Sequence, residues 1–311
     1  MDSSYVRLSG NIHQRFQLAG CSHKLLNQLH KRRRIIAVIK IKNANQSQNI
    51  LNTSVLTGEQ KEILDLMVKY EEVYSFEHFN QFKFEMDLRI EIVKAASALY
   101  QSGVKFTTFE YSKCNPDFWD LTSQGAIVIK PGVPPSAGIR DLYANGTLYA
   151  FECATAIVAV FYKAVLEMIE ERHFNRLFAG MILYDWHYDD DLGVFTRRGN
   201  DYLPGDCVYF KNPDFDPEKP QWRGENAIDM GYDLYYGHGI GIKDAEGIIA
   251  SLNKYRKEGA VRTAYLLSQV TRLDYRYLYD YRQLGRGIQG EFPLADNQKI
   301  ISKIGTAVYL K

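Results

Sequence analysis

Between Leu148 and His173 the chain carries apolar residues at helical spacing over a broad face, and a helix of that kind has to cover the face with other elements. The residues beyond it narrow the choice of cover. Met181 to Trp186 reads as a strand emerging from the Gly180 cap. After it come short strand-like pieces separated by turns: Gly205 to Phe210, Gly224 to Ile228 and Leu234 to Gly241. A long apolar helix feeding a run of turn-linked strands is an α+β order of elements, with the helix packed on an antiparallel sheet.

Upstream, Ile35 to Ile41 reads as an early strand before the polar Asn43 to Asn49 loop. Helical spacing runs from Gly58 to Tyr74 and from Phe79 to Leu99, the second stretch closed by Ser102-Gly103. Ala126 to Ile129 reads as a short strand, Pro131-Gly132-Val133-Pro134-Pro135 forces a turn, and Ser136 to Tyr143 reads as a polar helix. A last helix is predicted over about Asp244 to Leu267. Tyr275, Tyr277, Tyr279 and Tyr281 then alternate, which in an extended segment puts all four on one face. Residues 1–34 are polar, end in His30-Lys31-Arg32-Arg33-Arg34 and read as a flexible basic extension. The expected organisation is that extension, a single catalytic domain over 35–274, and a C-terminal extension over 275–311 that is tyrosine-rich at its start.

Composition removes several function classes. A formal net charge of +1 over 311 residues gives no protein-wide attraction to nucleic acid or to an anionic membrane, so neither is expected as a partner. The four cysteines, Cys21, Cys114, Cys153 and Cys207, form no C-x-x-C pair, so neither a disulfide scaffold nor a structural zinc site is suggested. The run Asp189-Asp190-Asp191 lacks the spacing and turning glycine of an EF-hand loop, and no metal is expected there. The first residues lack a signal peptide's charged start and apolar stretch, and the other apolar runs are too short and interrupted to span a bilayer. The chain is expected to be made in the cytoplasm.

Cys153 is the residue with the strongest physical reason to react. It follows the turn signal Asn145-Gly146 and falls in the first turns of the apolar helix, where unpaired N–H groups and the positive dipole end favour thiolate over thiol. A nucleophilic thiol needs a base or charge partner. His238, enclosed by glycines in Gly237-His238-Gly239-Ile240-Gly241, and Glu225, thirteen residues earlier, suit two neighbouring antiparallel strands that bring both side chains to one site. Glu152 directly precedes the cysteine; a carboxylate there opposes thiolate formation, yet it could serve as a second acid or base.

These strings together resemble the small bacterial protein-glutamine gamma-glutamyltransferases, the transglutaminases of spore-forming bacilli. The resemblance rests on Tyr149-Ala150-Phe151-Glu152-Cys153-Ala154-Thr155-Ala156, Ile182-Leu183-Tyr184-Asp185-Trp186-His187-Tyr188, Gly205-Asp206-Cys207-Val208-Tyr209-Phe210-Lys211-Asn212-Pro213, Gln221-Trp222-Arg223-Gly224-Glu225-Asn226 and Gly237-His238-Gly239-Ile240-Gly241, in that order. It implies a fold similar to the NlpC/P60 branch of papain-like enzymes, in which a helix-borne cysteine faces a sheet-borne histidine. It also implies Cys153 as nucleophile, Glu225 as the main acid/base carboxylate, His238 as an orienting or assisting group, Glu152 as a second carboxylate, and activity without calcium or any cofactor. The implied substrates are proteins of the spore coat that carry glutamine and lysine, and the implied destination is the coat.

On that reading the thiolate attacks a glutamine carboxamide through an oxyanion that N–H groups at the helix start would stabilise. Ammonia leaves, and a lysine amine takes the acyl group. Transfer in preference to hydrolysis calls for a narrow, apolar passage beside Cys153, with Trp186 and Trp222 as candidate wall residues. Two alternatives use the same sequence: a papain-like or NlpC/P60 cysteine peptidase or amidase, and a non-catalytic coat scaffold.

Overall fold

Strand β1 (Val38–Ile41) pairs in parallel with β2 (Val73–Phe76), and α1 (Gly58–Met67) precedes β2 in the chain. The computed structural model describes residues 38–42 and 56–287, together with two paired strands at Ile301–Ile304 and Ala307–Leu310; the expected basic extension over 1–34 lies outside the described residues. Helix α1 opens on a capping box between Thr57 and Gln60, which satisfies two backbone donors reciprocally. The helix expected to reach Tyr74 stops at Met67. Val73 to Phe76 instead alternates exposed and buried, and Tyr74 and Phe76 pack with Ile39 and Ile41 of the partner strand.

Helix α2 (Phe79–Ser102) ends on Gly103 in a left-handed conformation, φ +86, which a residue without Cβ adopts freely. Short strands come next: β3 (Lys105–Phe106), β4 (Trp119–Leu121) and β5 (Ile127–Ile129), then helix α3 (Pro135–Ala144) and strand β6 (Ala150–Phe151). The long apolar segment is not one helix. Ala150 and Phe151 pair in parallel with Lys105 and Phe106, Glu152 caps, and α4 (Cys153–Met168) begins at the cysteine itself. Ile169 is extended, and a second helix, α5 (Glu171–Leu177), starts after it.

Strand β7 (Ile182–Leu183) joins β5, which also pairs with β4. The remaining strands are β8 (Val194–Arg198), β9 (Cys207–Lys211), β10 (Gly224–Gly231), β11 (Leu234–Gly237) and β12 (Gly241–Asp244), then helix α6 (Ala245–Asn253) and strand β13 (Tyr265–Leu273). They form a six-stranded sheet in the order β12-β11-β10-β9-β13-β8, antiparallel at every pairing. The helix expected over Asp244 to Leu267 therefore ends at Asn253, because Tyr265 to Leu273 pairs with both β9 and β8.

Helix α4 lies between α2 and β10, giving the α+β arrangement of a cysteine-bearing helix on an antiparallel sheet. Its side chains from Ala154 to Tyr162 are all buried, the pattern of a helix covered all round. Each fully buried Val, Ile or Phe there contributes about 1.5–3 kcal/mol. The four alternating tyrosines sit on helix α7 (Tyr275–Gly287), not on a strand. Tyr275, Leu278 and Tyr279 are buried in the main core, a helical i, i+3, i+4 face. The start of the expected C-terminal extension is thus packed into the domain that precedes it.

Candidate active site

The chain reaches the site through β6, whose pairing with β3 aims it at the sheet. Glu152 then takes the N-cap position, accepting from the Ala154 and Thr155 N–H groups at 2.6 Å each through its two carboxylate oxygens. Its carbonyl accepts from Ala156 N–H at 3.1 Å. Three of the first four N–H groups of α4 are therefore satisfied by Glu152, and only that of Cys153 itself is left without a bond among the described residues. This corrects the expectation that the helix start offers several free donors to an oxyanion.

Opposite the thiol, β10 begins directly after a short turn through Pro220–Trp222. Pairing of Glu225 with Phe210 on β9 fixes its register, and its side chain is buried. The glycine at 237 makes room for it: a Cβ there would come within 2.8 Å of both Glu225 Cγ and Oε1. Glu225 Oε1 accepts from Gly239 N–H at 3.3 Å. Burial pushes its carboxyl up to about 8, with the Glu152 charge adding and the Gly239 and His238 N–H groups opposing. At neutral pH most of Glu225 is the neutral acid.

Burial likewise drives the Cys153 thiol up, reinforced by Glu225 and then Glu152; the backbone N–H and the side-chain amide of Asn226 pull the other way. Asn226 Nδ2 donates to Cys153 Sγ at 3.7 Å. Sequence reasoning missed this residue. Neighbours on a strand normally face opposite ways, so a period-two reading that turns Glu225 to the site turns Asn226 from it; the only local hint is its place in the Trp222-to-Asn226 string.

His238 lies in the turn between β11 and β12 rather than on a strand. With Ala227 opposite Gly237, the turn returns beside the start of β10, so the structure gathers Cys153, Glu152, Glu225 and His238 into one region. The His238 ring stacks on Phe151 at 5.3 Å, and its Nδ1 is 2.8 Å from Tyr236 Oη. Among the described residues its buried Nε2 has no hydrogen-bond partner. Burial brings its pKa down to about 4 against the Lys105 and Phe151 carbonyls, so the ring is neutral at physiological pH.

The two tryptophans have different surroundings. Trp186 lines a cavity of about 240 Å³ together with Tyr188, Cys207 and Asn226. Trp222 stacks flat on Tyr255 at 4.1 Å and touches Phe106, whose ring also meets His238. Phe106 is a second residue that sequence reasoning missed. Thr196, Gln269 and Thr271 add polar groups to the lining of the Trp186 cavity. Cys207 is a buried small side chain whose thiol burial drives up, with Asp206 and Glu225 adding. Asp189 and Asp191 form a local turn, Asp189 accepting from Asp191 N–H and Asp191 from the Tyr277 hydroxyl.

Residues 38–282 match the family model described as protein-glutamine gamma-glutamyltransferase. The protein-glutamine gamma-glutamyltransferase of Bacillus cereus (strain B4264) is 47% identical over 224 residues, 72% of this chain and 81% of that protein. That of Bacillus mycoides (strain KBAB4) has the same identity and coverage. The solved transglutaminase from Geobacillus stearothermophilus, without its C-terminal extension, superposes with a TM-score of 0.64 at 52% identity, covering 66% of this chain and 98% of its own.

Proposed function

Because the chain belongs to the protein-glutamine gamma-glutamyltransferase family and is an acyltransferase of that type, we propose that it joins proteins through ε-(γ-glutamyl)lysine bonds by way of a Cys153 thioester, with Glu225 carrying the protons. One observation carries the reading: Glu225 is buried with a backbone donor on its carboxyl and acts on the Cys153 thiol, on which no cation acts among the described residues; burial raises that carboxyl to about 8. His238 is too weakly basic, at about 4, to form the thiolate–imidazolium pair that papain-like enzymes use. Its backbone N–H supports the Glu225 carboxylate instead, which makes it a positioning residue.

In the first half-reaction ionised Glu225 takes the Cys153 proton as sulfur attacks the glutamine carboxamide carbon. The C–N bond breaks, and Glu225 returns the proton so that ammonia, not amide ion, leaves. In the second half a neutral lysine amine attacks the thioester and gives a proton to Glu225. The C–S bond then breaks, the isopeptide forms, and the sulfur recovers its proton. Glu152, with both oxygens held by N–H groups, serves as the cap of α4. No step calls on calcium or a cofactor. Trp186 and Trp222 wall the approaches used by the two substrate side chains.

The resemblance and the Bacillus sources of the relatives support spore coat proteins as the substrates, nucleic acid and membrane playing no part. The chain would be made in the mother-cell cytoplasm and act in the coat. The test is incorporation of a labelled primary amine into a glutamine-containing protein, with a chelator in place of calcium. Incorporation is expected from the wild type, and none above background from Cys153→Ala. Thiol-dependent hydrolysis without transfer would mean a cysteine peptidase or amidase, and no thiol-dependent reaction a coat scaffold.

A further inference from the structure

We propose that the Asn226 carboxamide is a catalytic residue that donates to the Cys153 sulfur and stabilises the charge it carries as it attacks and as it departs. The proposal rests on the reading of Cys153 as nucleophile. Apart from the Cys153 N–H itself, the usual sources of that stabilisation are occupied or absent among the described residues. At the start of α4 the Ala154 and Thr155 N–H groups are taken by the Glu152 carboxylate and the Ala156 N–H by the Glu152 carbonyl. The two titratable groups that act on the thiol, Glu225 and Glu152, are carboxyls, and both raise it. His238 is turned to Tyr236 through Nδ1 and stacked on Phe151, and among the described residues its ring makes no hydrogen bond to the sulfur.

That leaves Asn226. Its Nδ2 lies 3.7 Å from Sγ, an ordinary N–H to sulfur hydrogen-bond distance, and its backbone N–H acts on the same atom. Two dipoles from one residue thus converge on sulfur without adding a positive charge that would hold Glu225 ionised at low pH. The amide also lines the cavity bounded by Trp186, so it stands between that space and the thiol. As sulfur attacks, its proton passes to Glu225 and negative charge passes through it to the carboxamide oxygen. When the C–S bond breaks, the electron pair returns to sulfur. A donor fixed on Sγ lowers both barriers.

The measurement is the pH dependence of Cys153 alkylation by iodoacetamide, with the label located by mass spectrometry, in wild type, Asn226→Ala and the near-isosteric Asn226→Asp. Amine incorporation is followed in the same preparations. Loss of the donor is expected to raise the alkylation midpoint by about one to two pH units in Asn226→Ala, and further in Asn226→Asp, which adds a like charge. Incorporation at neutral pH should fall about 10- to 100-fold in Asn226→Ala. An unchanged midpoint in both variants would overturn the proposal, whatever happens to incorporation. If Cys153→Ala kept its amine incorporation, the nucleophile reading would fail separately, whether or not the midpoint moved.

Discussion

The β9–β10 ladder carries buried carboxylates at both of its ends, and they are treated in opposite ways. At one end Asp206 receives Arg89 Nη1 at 2.8 Å and Arg272 Nε at 3.0 Å, with Arg272 Nη2 at 2.5 Å on its second oxygen and the Leu203 N–H at 3.0 Å. Arg272 also contacts Asp201. Helix α2 and strand β13 are thereby tied to the connection between β8 and β9. At the other end, about four residues or 13 Å along the strand, Glu225 has, among the described residues, only backbone donors and a carboxylate neighbour. Charge matched by charge holds elements together, while a buried carboxyl without a cation is shifted into the range where it can exchange protons.

Exchanging the properties of the two ends is the way to break that contrast. The largest effect is expected from Glu225→Gln, which keeps the shape but cannot take a proton. Amine incorporation should fall about 10²- to 10⁴-fold with thermal stability preserved or slightly raised, since a desolvated acid is removed. Asp206→Asn does the reverse: it leaves Arg89 and Arg272 buried with too little negative charge and should destabilise the fold by about 3–5 kcal/mol in denaturant unfolding. Its rate per folded molecule should stay near wild type. The smallest effect is expected from Glu152→Gln, which retains an acceptor at the cap and should cost less than about 1 kcal/mol. Removing its charge makes Glu225 easier to ionise, so the activity limb should move to lower pH. A rate loss as deep as that of Glu225→Gln would instead make Glu152 a proton carrier.

The two ends also differ in how far they could be read from the chain alone. Periodicity and turn signals placed Cys153 at a helix start, and the thirteen-residue interval from Glu225 to His238 matches the tight return of β10 and β11, whose register sets Ala227 opposite Gly237. The Arg89–Asp206–Arg272 cluster joins residues 117 and 66 positions apart, and no local pattern encodes such a contact. Periodicity misplaces helix ends where tertiary pairing overrides it, as at Val73 on β2 and Tyr265 on β13. The tyrosine run misled because alternation at 275, 277, 279 and 281 left out Leu278, the residue that completes a buried helical face with Tyr275 and Tyr279. Strand alternation hides Asn226, because it turns neighbours on β10 to opposite faces although both Glu225 and Asn226 act on the thiol.

The most direct test of Glu225 as the proton carrier is the pH–rate profile of amine incorporation at saturating amine, in wild type and in Glu225→Gln. On the proposed mechanism Glu225 acts as the ionised base, and with its carboxyl raised to about 8 the wild-type rate should climb about tenfold per pH unit below that value and level off above it. The residual rate of Glu225→Gln should lack that limb. A wild-type profile flat from about pH 6 to 9, or a Glu225→Gln profile that keeps the same limb, would contradict the assignment of the unpaired buried carboxyl as the group that moves the proton.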